Sequence, residues 1–351
     1  MNPTRVLGAS TDTKVVSYFV SQPHLRTAQQ SRQIRNLWSQ VSPVWTHKLP
    51  QRTVFAVNYA MLGIPIRYLL RHPIAGIKDL AADPLELWTT IHETYVANRE
   101  QKEPPYLYQS EENWEQLLHE YFGVPWPCKI ATEFWTLWPS VIAELQANGI
   151  RAGPQSFQSW NDGDAGLARA IWCFVRHRVP RVVVETGVAH GVTSRFILEA
   201  LEKNGNGHLY SIDRPPLERS WRAEIGIAVG NRYADRWTYI KGSSRRHLAE
   251  LLARLGQIDL FIHDSMHSEH NVRFEIDRAW TALRACGAIV VDDIDANRGF
   301  HSFTQALPGQ PSVICEAEPL QPDTRRFNHK GLFGIILKQA DALALSKCAT
   351  V

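Results

Sequence analysis

Residues 181–194, RVVVETGVAHGVTS, constrain the fold more than any other stretch of the chain. Three β-branched residues, Val182, Val183 and Val184, end in Glu185. Gly187, Gly191 and Thr193 then lead into SRFILEALEK, where Phe196, Ile197, Ala200 and Leu201 fall on one helical face. The pattern predicts a buried strand, a tight glycine turn and a helix. Glycines in such a turn let the backbone approach a ligand, because no Cβ stands in the way, and the unpaired N–H groups of the helix N-terminus face the same space. A small, nucleotide-like ligand suits both properties.

The spacing narrows the choice of ligand. A dinucleotide fingerprint requires G-x-G-x-x-G and a P-loop requires G-K-[ST] after its second glycine, and neither is present. The stretch reads E-x-G-x-x-x-G-x-T, which resembles the first motif of class I S-adenosylmethionine (SAM) methyltransferases. The resemblance implies that the loop from Gly187 to Gly191 passes beneath the methionine and ribose of SAM, with Glu185 at its edge and Thr193 beside it.

Downstream residues fall in the matching order. GHLYSIDRPP predicts a strand over 209–212 ending at Asp213, about twenty residues past the last glycine, where a Rossmann-like fold places a carboxylate against ribose hydroxyls. An ionised acid there accepts both hydroxyl hydrogen bonds. WTYIKGSS predicts a third strand, and at its end the resemblance places adenine contacts on Gly242 and Ser243. RRHLAELLARLG follows as a helix with Leu248, Leu251, Leu252 and Leu255 on one face. Alternating strands and helices predict an α/β fold, a mostly parallel Rossmann-like sheet covered on both faces, with ligands beyond the carboxyl ends of its strands. PSVICEAEP and KGLFGIILK read as two further strands that close the sheet as an antiparallel pair, as in this family.

Chemistry concentrates after the next two strands. IDLFIHDSMHSEH places His263, Asp264 and His267 behind an apolar run, and CGAIVVDDIDANRGF does the same for Asp292 and Asp293. A helix over about 271–284 joins the two, and the right-handed crossover rule makes the strands parallel, so the acids can share one rim. Three carboxylates at one rim repel unless a cation is present, and hard oxygen ligands suit Mg²⁺ or a similar divalent ion. D-x-x-H followed by D-D resembles the metal-dependent O-methyltransferases, especially the group related to the macrocin O-methyltransferases that modify macrolide sugars. Carried over position by position, the resemblance makes Asp264, Asp292 and Asp293 metal ligands and His267 the general base. It implies O-methylation of a hydroxyl on a small molecule or a saccharide. In catechol-type relatives the base position is lysine and the second acid of the pair is asparagine, so these substitutions leave the acceptor open. His190, Asp295 and His301 lie nearby and read as local hydrogen-bonding residues.

The first 160 residues are not explained by the resemblance. They form an N-terminal region read as mainly helical, with helices expected at about 27–40, 53–70, 84–98, 111–122 and 130–148, ahead of a methyltransferase domain over 161–351. Seven of the twelve tryptophans lie before residue 150 and read as core or oligomer packing ahead of a substrate platform. The junction 153–166 is turn-rich, and Asp164 is placed to cap the next helix. Substrate, partner or homo-oligomer contacts are the roles open to this region. The apolar stretch 54–70 is interrupted by Asn58, Gly63, Pro65 and Arg67, which excludes a membrane span and leaves a buried helix pair, or else contact with a membrane surface.

A net charge of +3, from 38 basic and 35 acidic residues, carries no overall footprint for nucleic acid. Five cysteines without C-x-x-C spacing, behind an N-terminus with no secretory pattern, suggest reduced thiols and a cytoplasmic setting. Two rival readings stay open: other metal-assisted chemistry, such as hydroxylation or hydrolysis, on the same fold, and a non-catalytic binding or assembly protein.

Overall fold

Apolar runs of five to nine residues pair into one seven-stranded sheet in the computed structural model, which describes residues 81, 83–100, 106–149, 163–214, 219–320 and 330–339. The strands are β1 (Val182–Thr186), β2 (His208–Asp213), β3 (Trp237–Lys241), β4 (Ile258–His263), β5 (Leu283–Val291), β6 (Ser312–Glu316) and β7 (Leu332–Leu337). Their order is β3-β2-β1-β4-β5-β7-β6. The first five are mutually parallel, and β7 runs antiparallel to both β5 and β6, as expected. Thr186 is in register with both Ile212 and His263, and His263 with Val291. The carboxyl ends of β1, β2, β4 and β5 therefore finish level. The strand order reverses between β1 and β4, and it is at such a switch point that a crevice opens beyond the strand ends.

Among the described residues the helices are α1 (Pro84–Glu100), α2 (Trp114–Phe122), α3 (Lys129–Ala147), α4 (Ala165–Arg178), α5 (Val192–Asn204), α6 (Ser244–Leu255), α7 (Glu269–Ala282) and α8 (Gly299–Gln305). The expected helices at 27–40 and 53–70, and the junction up to residue 162, lie outside the described residues. Helix α7 stops two residues short of its expected end because Leu283 already adopts extended geometry and starts β5.

Strand residues alternate between two cores, as the two-residue period of a sheet requires. Val183, Leu260, Ile262 and Val290 face one side with Ile171 and Phe196, while Val184, Phe261, Ile289 and Val291 face the other with Leu248, Ile276 and Phe300. The first core does not stop at residue 160. Trp114, Leu118, Phe134 and Trp138 belong to it, and the Phe134 and Trp138 rings lie 4.9 and 5.3 Å from that of Phe196. Helices α2 and α3 form an outer layer over α4 and α5; of the tryptophans expected as packing residues, Trp114 and Trp138 are buried in it and Trp126 packs against it, whereas Trp88 and Trp135 are exposed. Asp164 caps α4 as its position suggested, accepting from the Gly166 N–H at 2.7 Å.

This layer is tied down by a buried arginine paired with two partly exposed carboxylates, which apolar periodicity does not register. Arg169, 3% exposed within α4, donates to Glu115 of α2 at 2.6 Å and, in a two-pronged pair, to Glu318 at 2.9 and 2.6 Å. Its guanidinium also lies 5.5 Å from the Trp114 ring and 4.6 Å from that of Trp135. Burial works against the charge, but the two carboxylates outweigh it and hold the guanidinium pKa above its ordinary value. Arg169→Ala removes both pairs and the ring contacts, but Glu115 and Glu318 are partly exposed and can be hydrated, so a loss of about 1–3 kcal/mol is expected in urea denaturation.

The expectation of uniformly reduced thiols is corrected. Cys128, Cys173 and Cys315 are free, but Cys286 is disulfide-bonded. Sequence spacing cannot reveal such a bond, because it depends on which loops the fold brings together. Among the described residues no helix is long and apolar enough to cross a membrane.

Candidate active site

The loop between β1 and α5 turns sharply, with φ of 87° at Gly187, 47° at Ala189 and 80° at Gly191. Packing alone accounts for both glycines. A Cβ on Gly187 would stand 1.9 Å from the Asp264 carbonyl oxygen, and one on Gly191 would stand 3.0 Å from the Gly226 Cα. The loop is therefore pressed against the end of β4 on one side and the 226–229 segment on the other. His190 is fully buried inside it, with Nε2 3.1 Å from Glu224 Oε2, a local role as expected.

Two acids support the loop. Glu185, 1% exposed, accepts from Ser194 Oγ of α5 and Ser211 Oγ of β2, both at 2.7 Å, so it ties strand to helix beneath the turn. Asp213 at the end of β2 accepts the Val188 and Ala189 N–H groups on Oδ2, at 3.1 and 2.9 Å. Burial pushes its carboxyl up to about 6, against the pull of the Ala189, Val188 and Arg214 amides and the Arg214 charge. Thr193 sits partly exposed in the first turn of α5.

Ser243 is buried, and it meets an element that the sequence reading left without a role at the site. Its Oγ donates to Glu86 Oε2 of α1 at 3.2 Å. Glu86, Glu93 and Glu100 recur every seven residues along α1 and face the strand ends. Glu86 and Asp83 pair with Arg246; Glu93 pairs with Arg214 at 3.0 Å and Arg245 at 3.3 Å; Glu100 accepts the His270 N–H at 3.1 Å. Burial raises the Glu93 pKa and the two arginines counter it. The heptad of acids was visible in the sequence, but nothing there said what it would face.

Beyond β4 and β5 the chain continues the ladder for one residue, Asp264 N–H donating to the Thr186 carbonyl and Asp292 N–H to that of His263. This brings Asp264, His267 and Asp292 together, one ligand atom of each lying within 4.8 Å of the others. His267 Nε2 is 4.0 Å from Asp264 Oδ1 and 3.7 Å from Asp293 Oδ2. Asp293 takes the left-handed conformation, φ 51° and ψ 39°, which aspartate tolerates better than most residues. The grouping differs from the division that the resemblance implied, since His267 stands inside the cluster and Asp293 pairs with it.

Behind this rim lies a buried polar knot. Glu275 of α7, fully buried, accepts from His263 Nδ1 at 2.6 Å, Ser265 Oγ at 2.8 Å, Asn271 Nδ2 at 3.0 Å and Thr186 Oγ1. Burial by itself would raise its carboxyl, but His263 and the hydroxyl donors hold it at about 2. The His263 ring stands edge-on to His267, 5.7 Å away. The signal for Glu275 was an acid on the inner face of an amphipathic helix, between Val272 and Ile276. Asp295 accepts the Leu332 N–H at 3.3 Å, and the His301 ring stacks on Tyr106 at 3.6 Å, so both have local partners.

A parallel sheet with this switch point, an antiparallel β7, a glycine loop after β1 and an acid ending β2 defines the class I methyltransferase fold. Residues 184–294 match the family model described as "Methyltransferase domain", a span that runs from β1 to just beyond the acidic pair and covers about a third of the chain. Over that span the chain is similar to a methyltransferase domain. Among solved structures it is similar to the O-methyltransferase TomG from Streptomyces achromogenes, involved in tomaymycin synthesis and in complex with SAM (15% identity, TM-score 0.43, 66% of this chain and 100% of that one). It is also similar to an O-methyltransferase from Bacillus cereus in complex with SAH (13% identity, TM-score 0.43, 65% and 99%) and to an SAH-bound methyltransferase from Podospora anserina (14% identity, TM-score 0.40, 67% and 99%). Comparison with curated proteins gives no match.

Proposed function

We propose that the chain is an O-methyltransferase that transfers the methyl group of SAM to a hydroxyl of a small molecule or saccharide, assisted by a divalent cation. The observation that carries this reading is the contact between Gly187 and the Asp264 backbone. It fixes the methyl-donor loop and the acidic rim as one unit, so that donor and acceptor positions are set by the same backbone. Positioning of this kind supplies much of the rate of a bimolecular transfer.

Asp213 would accept the ribose hydroxyls, while Glu185 acts from beneath by holding the loop's shape. Ser243 would line the adenine side together with α1, whose acids brace Arg214 and Arg246 there. This gives the N-terminal region a part in closing the cofactor side; its share in acceptor or homo-oligomer contacts belongs to the same proposal, as does a cytoplasmic setting. The donor set of Asp264, Asp292 and either Asp293 or His267 fits an oxygen-preferring divalent ion such as Mg²⁺. When bound, such an ion supplies Lewis acidity toward the acceptor hydroxyl. His267 Nε2 would take the proton, and the two carboxylates at 4.0 and 3.7 Å favour the imidazolium that results. A second reading makes His267 a ligand, and its place inside the cluster supports that reading.

Calorimetric titration with SAM and with S-adenosylhomocysteine, with Mg²⁺ and after chelation, tests the proposal. Micromolar binding of either supports it, and no binding to folded protein under any condition overturns it in favour of an assembly role. The pH dependence is a sharper check. An acceptor carboxylate must be ionised, and Asp213 gains its proton as pH falls through about 6. SAM affinity should therefore weaken about tenfold between pH 7 and pH 5. Asp213→Asn should weaken binding at pH 7 and flatten the profile; a slope unchanged by that substitution would take Asp213 out of the pocket.

A further inference from the structure

A second cluster of metal-ligating side chains lies away from the rim, where α2, the start of α3 and the end of α4 meet. His119 of α2, Cys128 at the N-cap of α3 and His177 of α4 each offer one ligand atom, all within 4.8 Å of one another. The fold makes the encounter: α2 ends at Phe122 with Gly123 as its C-cap, and five residues after Gly123 the chain turns into α3 at its N-cap Cys128.

Each donor is prepared in a different way. His119 is 1% exposed, and its Nδ1 lies 2.6 Å from the Glu115 carbonyl oxygen. A carbonyl can only accept, so Nδ1 carries the proton, and in the neutral ring Nε2 presents its lone pair to Cys128 Sγ at 3.1 Å. Fixing one imidazole nitrogen on a backbone carbonyl is what orients metal-binding histidines. Cys128 Sγ already accepts the Ala131 N–H at 3.3 Å at a helix N-terminus, where the dipole favours a thiolate. Cys128 Sγ also shares a hydrogen bond with the Cys173 thiol. His177 Nε2 is buried with no hydrogen-bond partner, an exception among buried polar atoms that calls for an explanation. Cys173 stands one helical turn before His177, on the same face of α4.

The His119 Nε2 lone pair, the Cys128 sulfur and a buried His177 nitrogen without a hydrogen-bond partner converge on one point, which suits a cation. Phe122 and Trp126, with rings 5.6 and 4.6 Å from His119, wall the cluster with apolar surface. We propose that His119, Cys128 and His177, with Cys173 as the fourth ligand, form a closed structural Zn²⁺ site that fastens α2 and α3 to α4. Two sulfurs and two imidazole nitrogens are a tetrahedral zinc set, and its bond lengths of about 2.0–2.3 Å place ligand atoms roughly 3.5 Å apart, a spacing close to the 3.1 Å between His119 Nε2 and Cys128 Sγ and inside the 4.8 Å within which the three atoms lie. The site does not rest on the methyltransferase reading.

The full-length protein, stripped of metal and titrated with Co²⁺, tests this directly. The rim around Asp264 offers only oxygen and imidazole donors, so a thiolate-to-cobalt charge-transfer band with the strong visible bands of tetrahedral Co²⁺ reads the cysteine site alone. About one equivalent of Co²⁺ per chain should saturate that band, and Zn²⁺ should abolish it. Cys128→Ser should lose the charge-transfer band, His177→Gln should weaken Co²⁺ binding at least about tenfold, and Cys315→Ser should leave both unchanged. Absence of the band in folded wild-type protein overturns the proposal, as does its persistence in Cys128→Ser, or a Cys128–Cys173 disulfide in protein purified without oxidant. If Cys128→Ser does not fold, the wild-type titration decides, together with Zn²⁺ protection of two thiols against alkylation.

Discussion

Asp292→Ala is expected to lower turnover about 100- to 1,000-fold and to abolish stimulation by Mg²⁺, while SAM affinity stays within about twofold, because loss of a cation's Lewis acidity removes several kcal/mol at 1.36 kcal/mol per decade. The selectivity follows from position. Asp292 stands at the end of β5, on the Asp264–His267 side, and Asp213, the proposed ribose acceptor, stands at the end of β2, on the other side of the switch point. Steady-state rates across a Mg²⁺ series, read beside calorimetry with SAM, separate the two effects. Equal losses of turnover and SAM affinity would show that the rim shapes the cofactor pocket and does not hold an ion. The same series settles His267. As a proton acceptor, His267→Ala costs rate, most steeply at low pH, and leaves the Mg²⁺ midpoint in place; as a ligand, it moves that midpoint with the rate.

How much of this was legible beforehand differs by the kind of interaction. Strands β1 to β5, the closing pair β6 and β7, and α3 were all readable, because each depends on a local apolar period and a local stop such as Asn148-Gly149. The rim was readable as a set of residues because strand ends in a parallel sheet converge by topology. Its internal grouping was not, since the placing of His267 against Asp293 depends on the left-handed turn at Asp293. Glycine signals were read as room for a ligand, whereas Gly187 and Gly191 are first of all demanded by neighbouring backbone. Long-range polar contacts left least trace: Arg169 meets Glu318 across 149 positions and Glu86 meets Ser243 across 157, and no periodicity encodes such a partner.

Glu275 is the extreme case of that silence, and its replacement should have the largest effect on stability. Glu275→Ala is expected to cost about 3–5 kcal/mol, read as a lower urea midpoint with the slope unchanged, because it strands several buried donors at once. Those donors sit on β1 (Thr186), β4 (His263), the loop after it (Ser265) and α7 itself (Asn271). Two of them flank Asp264, so the substitution should also loosen the rim. Glu275→Gln keeps the shape and one strong acceptor, and should cost roughly half as much. The pH dependence has a definite sign. The carboxyl is held at about 2 against an ordinary 4.5, so its contribution is complete above 4.5 and is lost as pH falls toward 2. Wild-type protein should lose stability through that window more steeply than Glu275→Gln does. Parallel acid profiles for the two would mean that the charge of Glu275 contributes nothing and that the knot is held by shape alone.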